Sequence, residues 1–506
     1  MKFLEKPKIL LIVPPIRGNI NSGIEFIKVP LGLGYLAGFL EKHDYAGCVK
    51  ILDAHAEGPT IKISDNLWYS GMSMEEIKKY LLNYQPDIVG IQCSFTVYEK
   101  DAFELAALIK SISKQLKKNI LVVTGGAHSS ANPESILKCK DIDMVVKGEG
   151  EVTFYEIVSK YYKKGSLFDI EGTVLRHEGQ IRYNKPRALI KNLDQVPFPA
   201  RHLLKMELYL NHKLNSIGTM RKPATDIITS RGCTGDCVFC SIKTIWGKTW
   251  RGRTAKNVVD EIEELVNTYG VKQIRIQDDN VSYNKERMNQ ICDEIISRKL
   301  HKKIRWDTPN GIAIWTLDEP LLRKMKKSGY YRIAFGIESG SEDTIKFIRK
   351  PINYDYVKKI IKICNKVGLW TISPFIIGFP YENMIDIQKT INFASHSGLD
   401  FVLFYIAQPY AGTELYNIYE KENLMPKGIQ MSSSVESTKY NTKYFAAQDL
   451  INLRNMAYKQ FYRSRMKHYL NPVNIYYFFK KCRNLEGFIH IMKMLKSLVN
   501  LNFYKR

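Results

Sequence analysis

The feature that most constrains this chain is an alternation of strand-length apolar runs with helix-period segments, repeated in two series. The first series opens with the apolar run Lys8 to Pro15 and continues with a helical pattern over Leu31–Lys42. A strand is predicted at Val49–Asp53, a helix at Met74–Tyr84 and a strand at Ile88–Cys93. A helix at Lys100–Lys114 and a strand at Ile120–Gly126 complete it. Unbroken apolar strands interleaved with amphipathic helices are the pattern of a parallel sheet covered on both faces. The second series has a strand ending at Ile227–Thr229, a helix at Ala255–Tyr269 and five further strands. These are Gln273–Asp278, Ile304–Thr308, Arg332–Ile337, Thr371–Ile377 and Phe401–Ile406, giving six βα units. The reading is α/β: a doubly wound domain over 1–190, a linker over 191–224, a partial (β/α)6 barrel over 225–425, and a helical, basic segment over 426–506. Pro197 and Pro199 bias the stretch Leu193–Arg201 toward extended backbone, which suits a linker.

In both architectures ligands bind at the carboxyl ends of the strands. In the first series those ends carry Pro14, Ser94, Thr96, Gly125, Gly126, His128, Gly148 and Glu149. Only Gly18 stands in the loop after the first strand before Gly23, so the glycine fingerprint of a dinucleotide site is missing. In the second series the ends carry Gln277-Asp278-Asp279-Asn280, Pro309-Asn310-Gly311, Gly336-Ile337-Glu338-Ser339-Gly340, Gly378-Phe379-Pro380 and Gln408 to Glu414. Each has a plainer reading. Asp278 or Asp279 suits a helix cap, Glu338 suits an ion pair with a neighbouring cation, and Gly-Phe-Pro suits a turn.

The first strand of the second series leads into Cys233, Cys237 and Cys240, at spacing Cys-x3-Cys-x2-Cys. A 4Fe–4S cluster normally takes four thiolates. No fourth Cys follows before Cys292, and no His lies between Met220 and Leu300. Three thiolates leave one iron open to a small molecule, as catalytic metal sites keep an open position. A structural zinc would need a distant fourth ligand.

The triplet, with Phe239 before its third cysteine, resembles the signature of the radical S-adenosylmethionine (SAM) enzymes. The resemblance implies that the open iron chelates SAM and that the cluster splits it to a 5′-deoxyadenosyl radical. It implies a TIM-like barrel in which Phe239, Asp278, Asp279, Asn280, Glu338 and Ser339 surround SAM. Asp278-Asp279-Asn280 stands where Gly-Gly-Glu is more usual, so which of them makes the contact stays open. Three segments of the first series, Val29–Ala37, Gly125–Glu134 and Asp143–Glu151, resemble the Rossmann-like cobalamin-binding domain that precedes many radical SAM barrels. Its strand-end residues, Pro14 to Glu149 above, would then meet the corrin. Asp53-Ala54-His55-Ala56-Glu57-Gly58 matches a motif that in some cobalamin proteins supplies a histidine to cobalt. Here it follows the second strand rather than the first, so His55 is expected to stay off the metal.

The resemblance implies a cobalamin-dependent methyltransferase: one SAM methylates cobalamin, a second yields the radical, and an unactivated carbon receives the methyl group. A cyclase or rearrangement enzyme with the same cofactors is the alternative. A tRNA methylthiotransferase would need a cysteine triad in the first domain, where Cys48, Cys93 and Cys139 are scattered. A non-catalytic cobalamin sensor would not need the marked barrel ends. The substrate stays open, with a small molecule or a lipid favoured and nucleic acid disfavoured. An electron donor of flavodoxin or ferredoxin type is implied.

The 506 residues carry a net charge of +24 and nine cysteines without paired spacing. No run approaches the ~20 apolar residues of a membrane span, and no export signal is recognisable, which points to the cytoplasm. A widely spread basic surface accounts for much of that charge. After Asp449 the only acidic residue is Glu486. Phe488, Ile491, Met492, Leu495, Leu498 and Val499 fall at helical spacing among Arg and Lys. Such a stripe packs on the barrel or lies on a membrane surface.

Overall fold

Apolar runs form the parallel strands of the first sheet because helices cover both of its faces. The strands are β1 (Ile9–Val13), β2 (Val49–Asp53), β3 (Ile88–Gln92), β4 (Leu121–Gly125) and β5 (Met144–Val146), followed by the hairpin β6 (Thr173–His177) and β7 (Gln180–Tyr183). Their order across the sheet is β7-β6-β5-β4-β3-β1-β2. β1 to β5 pair in parallel, whereas β6 joins β5 antiparallel. The structure, a computed structural model, describes residues 5–19, 27–65, 67–211, 219–426, 438–482, 487–489 and 492. It contains two units, residues 1–212 with 244–247, and residues 213–243 with 248–506.

In the first unit Leu10, Ile12, Val89, Ile91, Leu105, Ile109 and Val122 form the centre of the core. Chain order reverses between β1 and β3, which makes their carboxyl ends the switch point where such sheets bind ligands. A small antiparallel sheet of Ile16–Asn19, Leu67–Ser70 and Thr60–Ser64, absent from the sequence reading, fills loop regions. The stretch Leu193–Arg201 is closely packed. Ala200 N–H donates to Gly34 O (2.9 Å), and a side chain at Gly34 would meet Pro199 at 2.8 Å.

The second unit has six parallel strands in chain order: β8 (Ala224–Ile227), β9 (Gln273–Ile276), β10 (Arg305–Ile312), β11 (Tyr330–Phe335), β12 (Trp370–Ile377) and β13 (Phe401–Ile406). This is the expected partial barrel sheet. β10 extends past Thr308 through Pro309-Asn310-Gly311, which the sequence reading placed beyond its end. A register shift between Thr308 and Ile312 and a φ of +106° at Gly311 absorb the bend.

Register aligns Asp226, Arg275, Asp307 and Arg332 across four neighbouring strands. Cα partners share a face, so the four form a row of alternating charge. Arg275 Nη2 lies 2.8 Å from Asp226 Oδ1, Arg332 Nε donates to Asp307 Oδ2 (3.1 Å), and all four residues are buried. Removing one member would strand a buried charge.

The helix Ala447–His468 packs along β13. Leu450, Ala457 and Phe461 are buried, Arg454 Nε donates to Phe404 O (2.9 Å), and Phe404 N–H donates to Tyr458 Oη (2.9 Å). This part of the basic segment is core. Of the apolar stripe beyond it, only Phe488 and Met492 lie within the described residues, and both are exposed.

Candidate functional site

The cysteine loop hangs from a braced junction. β8 ends at Ile227, and Thr229 and Ser230 bury the next turn. The Asp278 carboxylate accepts from Thr229 N–H (2.6 Å), Thr229 Oγ1 (2.6 Å) and Ser230 Oγ (2.5 Å). From the other side Arg287 Nη2 donates to Thr229 O (2.6 Å) and Arg253 Nη1 to Ile228 O (2.8 Å). Asp279 Oδ2 accepts from Gly232 N–H (3.1 Å), and Gly232 has a φ of +87° that favours glycine. The two adjacent acids thus both grip the stem of the loop. The helix-cap reading holds for neither, since Asn284 caps the following helix.

Cys233, Cys237 and Cys240 are all partly exposed. A side chain at Gly235 would stand 3.4 Å from Cys233 Sγ and 4.0 Å from Cys237 Sγ, so both sulfurs face the space that glycine leaves. Burial pushes the Cys240 thiol up to about 12 and the Cys237 thiol up as well. Thiol ligands shed those protons on meeting a metal. Among the described residues no three His, Cys, Asp or Glu side chains gather closely enough for one metal ion. A single zinc at 2.3 Å bonds would hold its sulfurs about 3.8 Å apart. A 4Fe–4S cube, whose thiolates sit on separate irons, takes a wider set, and three thiols on one loop are the donor chemistry it uses.

Other marked strand ends belong to the same unit. Glu338 has a φ of +70°, a strained value for a residue with a side chain. Glu338 N–H donates to Pro374 O (3.3 Å), and Glu338 O accepts from Ile376 N–H (2.8 Å). Glu338 Oε1 lies 2.6 Å from Lys350 Nζ, so the ion-pair reading holds. A Cβ at Gly336 would stand 2.8 Å from Lys350 Nζ and 3.1 Å from Glu338 Oε1, so glycine makes room for the pair. Ser339 is fully buried. Its hydroxyl shares a hydrogen bond with Thr390 Oγ1 (2.8 Å) and accepts from Ser341 N–H (3.1 Å), leaving it a packing role. Phe239 packs beside Phe379, with ring centroids 6.0 Å apart. Asn280 is 5 % exposed, and its Oδ1 is buried with no donor among the described residues. It is an orphan acceptor of the kind a bound ammonium or amide satisfies.

Glu382 escaped the sequence reading, although it follows Gly378-Phe379-Pro380 by two residues. Its Oε2 accepts from Gly378 N–H (2.6 Å) and Phe379 N–H (3.2 Å), and Oε1 from Thr344 Oγ1 (3.1 Å). Burial pushes its carboxyl up to about 7 against the ordinary 4.5. The folded state therefore holds this proton more tightly than the unfolded state. Its contribution to stability is full below pH 4.5 and is lost as pH rises to about 7. Glu382→Gln, which keeps the acceptor and can donate to Thr344, is expected to flatten this part of the stability–pH curve. Urea unfolding at pH 5 and pH 8 checks it, and equal pH slopes in both proteins refute the assignment.

In the first unit Pro14 follows β1 and is buried, while Ser94 and Thr96 follow β3 and are half-buried. All three stand at the switch point. Gly125 ends β4 and Gly126 follows it, exposed with a φ of +117°. A Cβ there would stand 2.8 Å from Cys93 O and 2.9 Å from Ser94 Oγ. Gly126→Ala is expected to cost about 2 kcal/mol and to weaken cobalamin retention. Thermal unfolding with and without cobalamin checks both. His128 is 3 % exposed and held on both ring nitrogens, by Glu99 Oε2 (2.9 Å) and Thr96 Oγ1 (3.0 Å). It positions the loop. Gly148 N–H donates to Ser130 Oγ (3.0 Å), and Glu149 Oε2 accepts from Ile190 N–H (2.7 Å). His55 is buried after β2, the strand at the sheet edge, one strand away from the switch point. Asp53 is tied up by Ala56 N–H (3.0 Å) and Tyr209 Oη (2.8 Å).

A three-cysteine loop at the carboxyl edge of a partial barrel, in a chain with a doubly wound sheet that carries Gly125, Gly126 and Gly148 at two of its strand ends, defines a class of radical enzyme with an added corrin domain. A Radical SAM superfamily model matches residues 227–394, and a B12 binding domain model matches residues 20–158. The chain is 35 % identical over 457 residues to the uncharacterized methyltransferase PH0819 of Pyrococcus horikoshii, covering 90 % of this chain and 92 % of the relative. It is 32 % identical over 439 residues to the cytidylyl-2-hydroxyethylphosphonate methyltransferase of Streptomyces wedmorensis, covering 80 % of each. The fold is similar to that of the radical SAM methyltransferase TsrM of Kitasatospora setae, solved with cobalamin and a [4Fe-4S] cluster. The TM-score is 0.67 at 16 % identity, over 90 % of this chain and 89 % of that one. The chain belongs to the B12-binding radical SAM family, and it is an enzyme of the methyltransferase-like kind.

Proposed function

We propose that this chain transfers a methyl group from SAM, by way of cobalamin, to an unactivated carbon of a small-molecule or lipid substrate. The observation that carries the reading is the 35 % identity, over 90 % of the chain and spanning both cofactor domains, to a relative named an uncharacterized methyltransferase. When bound, SAM on the cluster would supply a 5′-deoxyadenosyl radical and cobalamin a transferable methyl group. Cys233, Cys237 and Cys240 would hold the cluster. Asp278 and Asp279 fix the stem of their loop, and the buried acceptor of Asn280 would be available to the SAM amino group. Phe239 would border the adenine. Glu338, oriented by Lys350, would serve the ribose and carboxylate, and Ser339 anchors the Glu338 turn. Gly125, Gly126 and Gly148 would bring bare backbone to the corrin, Pro14 and Ser94 would stand beside it at the other strand ends, and Thr96, His128 and Glu149 brace those loops. His55 stays off cobalt.

The S. wedmorensis relative is named for a phosphorus-bearing, anionic substrate, and an anionic substrate suits a net charge of +24. A flavodoxin- or ferredoxin-type donor delivers the electron, and the enzyme works in the cytoplasm. Among the described residues no helix is long and apolar enough to cross a membrane. A tRNA methylthiotransferase role is disfavoured, because Cys93 lies in the core, 1 % exposed. The test is anaerobic turnover of the reconstituted enzyme with candidate substrates. S-adenosylhomocysteine and 5′-deoxyadenosine are expected in equal amounts with a product heavier by one methylene. A product without methyl gain sinks the reading in favour of cyclisation or rearrangement.

A further inference from the structure

Among the described residues, the outer side of the two C-terminal helices is apolar and basic and is covered by nothing. In the helix Pro472–Lys481 the packed side is the polar one. Lys481 is buried, lies 2.5 Å from Asp400 Oδ2 and donates to Asn365 Oδ1 (2.6 Å). Asn474 Nδ2 donates to His468 O (3.0 Å), and the Phe478 ring meets Trp370, 6.0 Å between centroids. Val473, Tyr476 and Phe479, spaced by three residues and hence on one side of the helix, face solvent instead, and Phe479 is 65 % exposed. The helix Ala447–His468 divides in a related way. Its inner side packs on β13, and Arg465 turns in to 3.6 Å from Asp400 Oδ1. Lys459, Arg463, Met466 and Lys467 recur at helical spacing on its outer side and are exposed. Leu470, 80 % exposed, stands between the two helices.

Between Leu450 and Cys482 the sequence has seven Lys or Arg residues and no Asp or Glu. Arg454, Arg465 and Lys481 are buried, and the other four, Lys459, Arg463, Lys467 and Lys480, are exposed. An exposed apolar strip marks an interaction surface. One flanked by cations alone complements a partner that is anionic outside and hydrocarbon within. A second copy does not suit it, because a twofold contact sets the same patch against itself, cation to cation. Nucleic acid would use the cations and the aromatic rings, but Met466, Leu470 and Val473 offer it nothing to stack on. We propose that the outer side of these two helices docks the protein on an anionic phospholipid bilayer. Leu470, Val473, Tyr476 and Phe479 enter the headgroup boundary, and Lys459, Arg463 and Lys467 meet the lipid phosphates. The helices lie on the membrane and do not span it. The inference is independent of the methyl-transfer reading.

The test uses the full-length reconstituted protein and phosphatidylcholine vesicles with or without phosphatidylglycerol. Co-sedimentation is expected with the anionic vesicles, weakening as salt rises, and not with phosphatidylcholine alone. The triple variant Lys459→Gln, Arg463→Gln, Lys467→Gln is expected to lower the partition coefficient ~100-fold, from about 5-fold for each cation near an anionic surface. The double variant Tyr476→Ser, Phe479→Ser is expected to lower it at least ~10-fold through lost apolar burial. Lys114→Gln, Lys163→Gln and Lys164→Gln together remove the same charge from exposed positions of the first unit and are expected to stay within ~2-fold of the parent. Every substituted residue is exposed, so thermal unfolding is expected to be unchanged throughout. No binding to anionic vesicles, or binding that either the charge variant or the apolar variant keeps in full, overturns the proposal. So does a lipid-free dimer that the Tyr476→Ser, Phe479→Ser protein loses, which assigns the surface to a second copy. Single-stranded RNA binding that is tighter than vesicle binding and is lost in the same variant assigns it to nucleic acid and also overturns the proposal.

Discussion

Replacing Cys233, Cys237 or Cys240 singly by Ala is expected to take iron from about four per chain to near zero and to abolish 5′-deoxyadenosine formation. The fold should survive. The sulfurs lie on a partly exposed loop, and the braces of that loop, from Asp278, Arg253 and Arg287, act on residues 228–230, before the first cysteine. Stability is therefore expected to change by less than about 1 kcal/mol. Iron and sulfide analysis, the visible absorbance of the cluster and a SAM cleavage assay on the anaerobically reconstituted variants measure this. A variant that keeps both cluster and cleavage removes that cysteine from the ligand set.

Asp278→Ala is expected to be the most damaging change outside the cysteines. It strands the Thr229 N–H and the Thr229 and Ser230 hydroxyls, all buried around a carboxylate that is 2 % exposed. Unpaired buried groups cost about 1–3 kcal/mol each, though hydroxyls can turn to other partners, so about 3–4 kcal/mol is expected in all. Asp278→Asn, which keeps one acceptor oxygen and the shape, should cost about half as much. The loss should be present in protein without cluster or SAM, because the acid holds the stem of the loop directly. Thermal unfolding of the apoprotein decides the point. An unchanged Tm with weakened SAM binding would make Asp278 a SAM ligand and not a clamp.

The two series of alternating strands were legible because parallel strands covered on both faces must be apolar throughout. The helices near Met74–Tyr84 and about Ala255–Tyr269 were legible from their apolar spacing, and the structure adds Ser73 and Thr254 as their caps. The hairpin β6–β7 and the small sheet around Leu67–Ser70 were not, because short, exposed strands such as Gln180–Tyr183 carry little apolar pattern. The course of β10 through Pro309 was hidden because proline and glycine read as the end of a strand. Here a register shift carries the strand past them.

The sequence by itself determined the order of the elements, the partial barrel and the three thiols on one loop. These depend on residue type and on spacing within a few tens of residues. Only the tertiary structure decided what each acid near that loop does. Asp278 is consumed by the loop stem, Glu338 is paired with Lys350, and Glu382, with no motif of its own, holds the Gly378 turn. The same holds for the alternating row from Asp226 to Arg332 and for the two buried cations around Asp400. The physical reason is that the role of a charge is set by the partners that reach it in a low-dielectric interior. Most of those partners, from 12 residues away for Lys350 and Glu338 to more than 100 for Lys481 and Asn365, are brought together by strand register and helix packing.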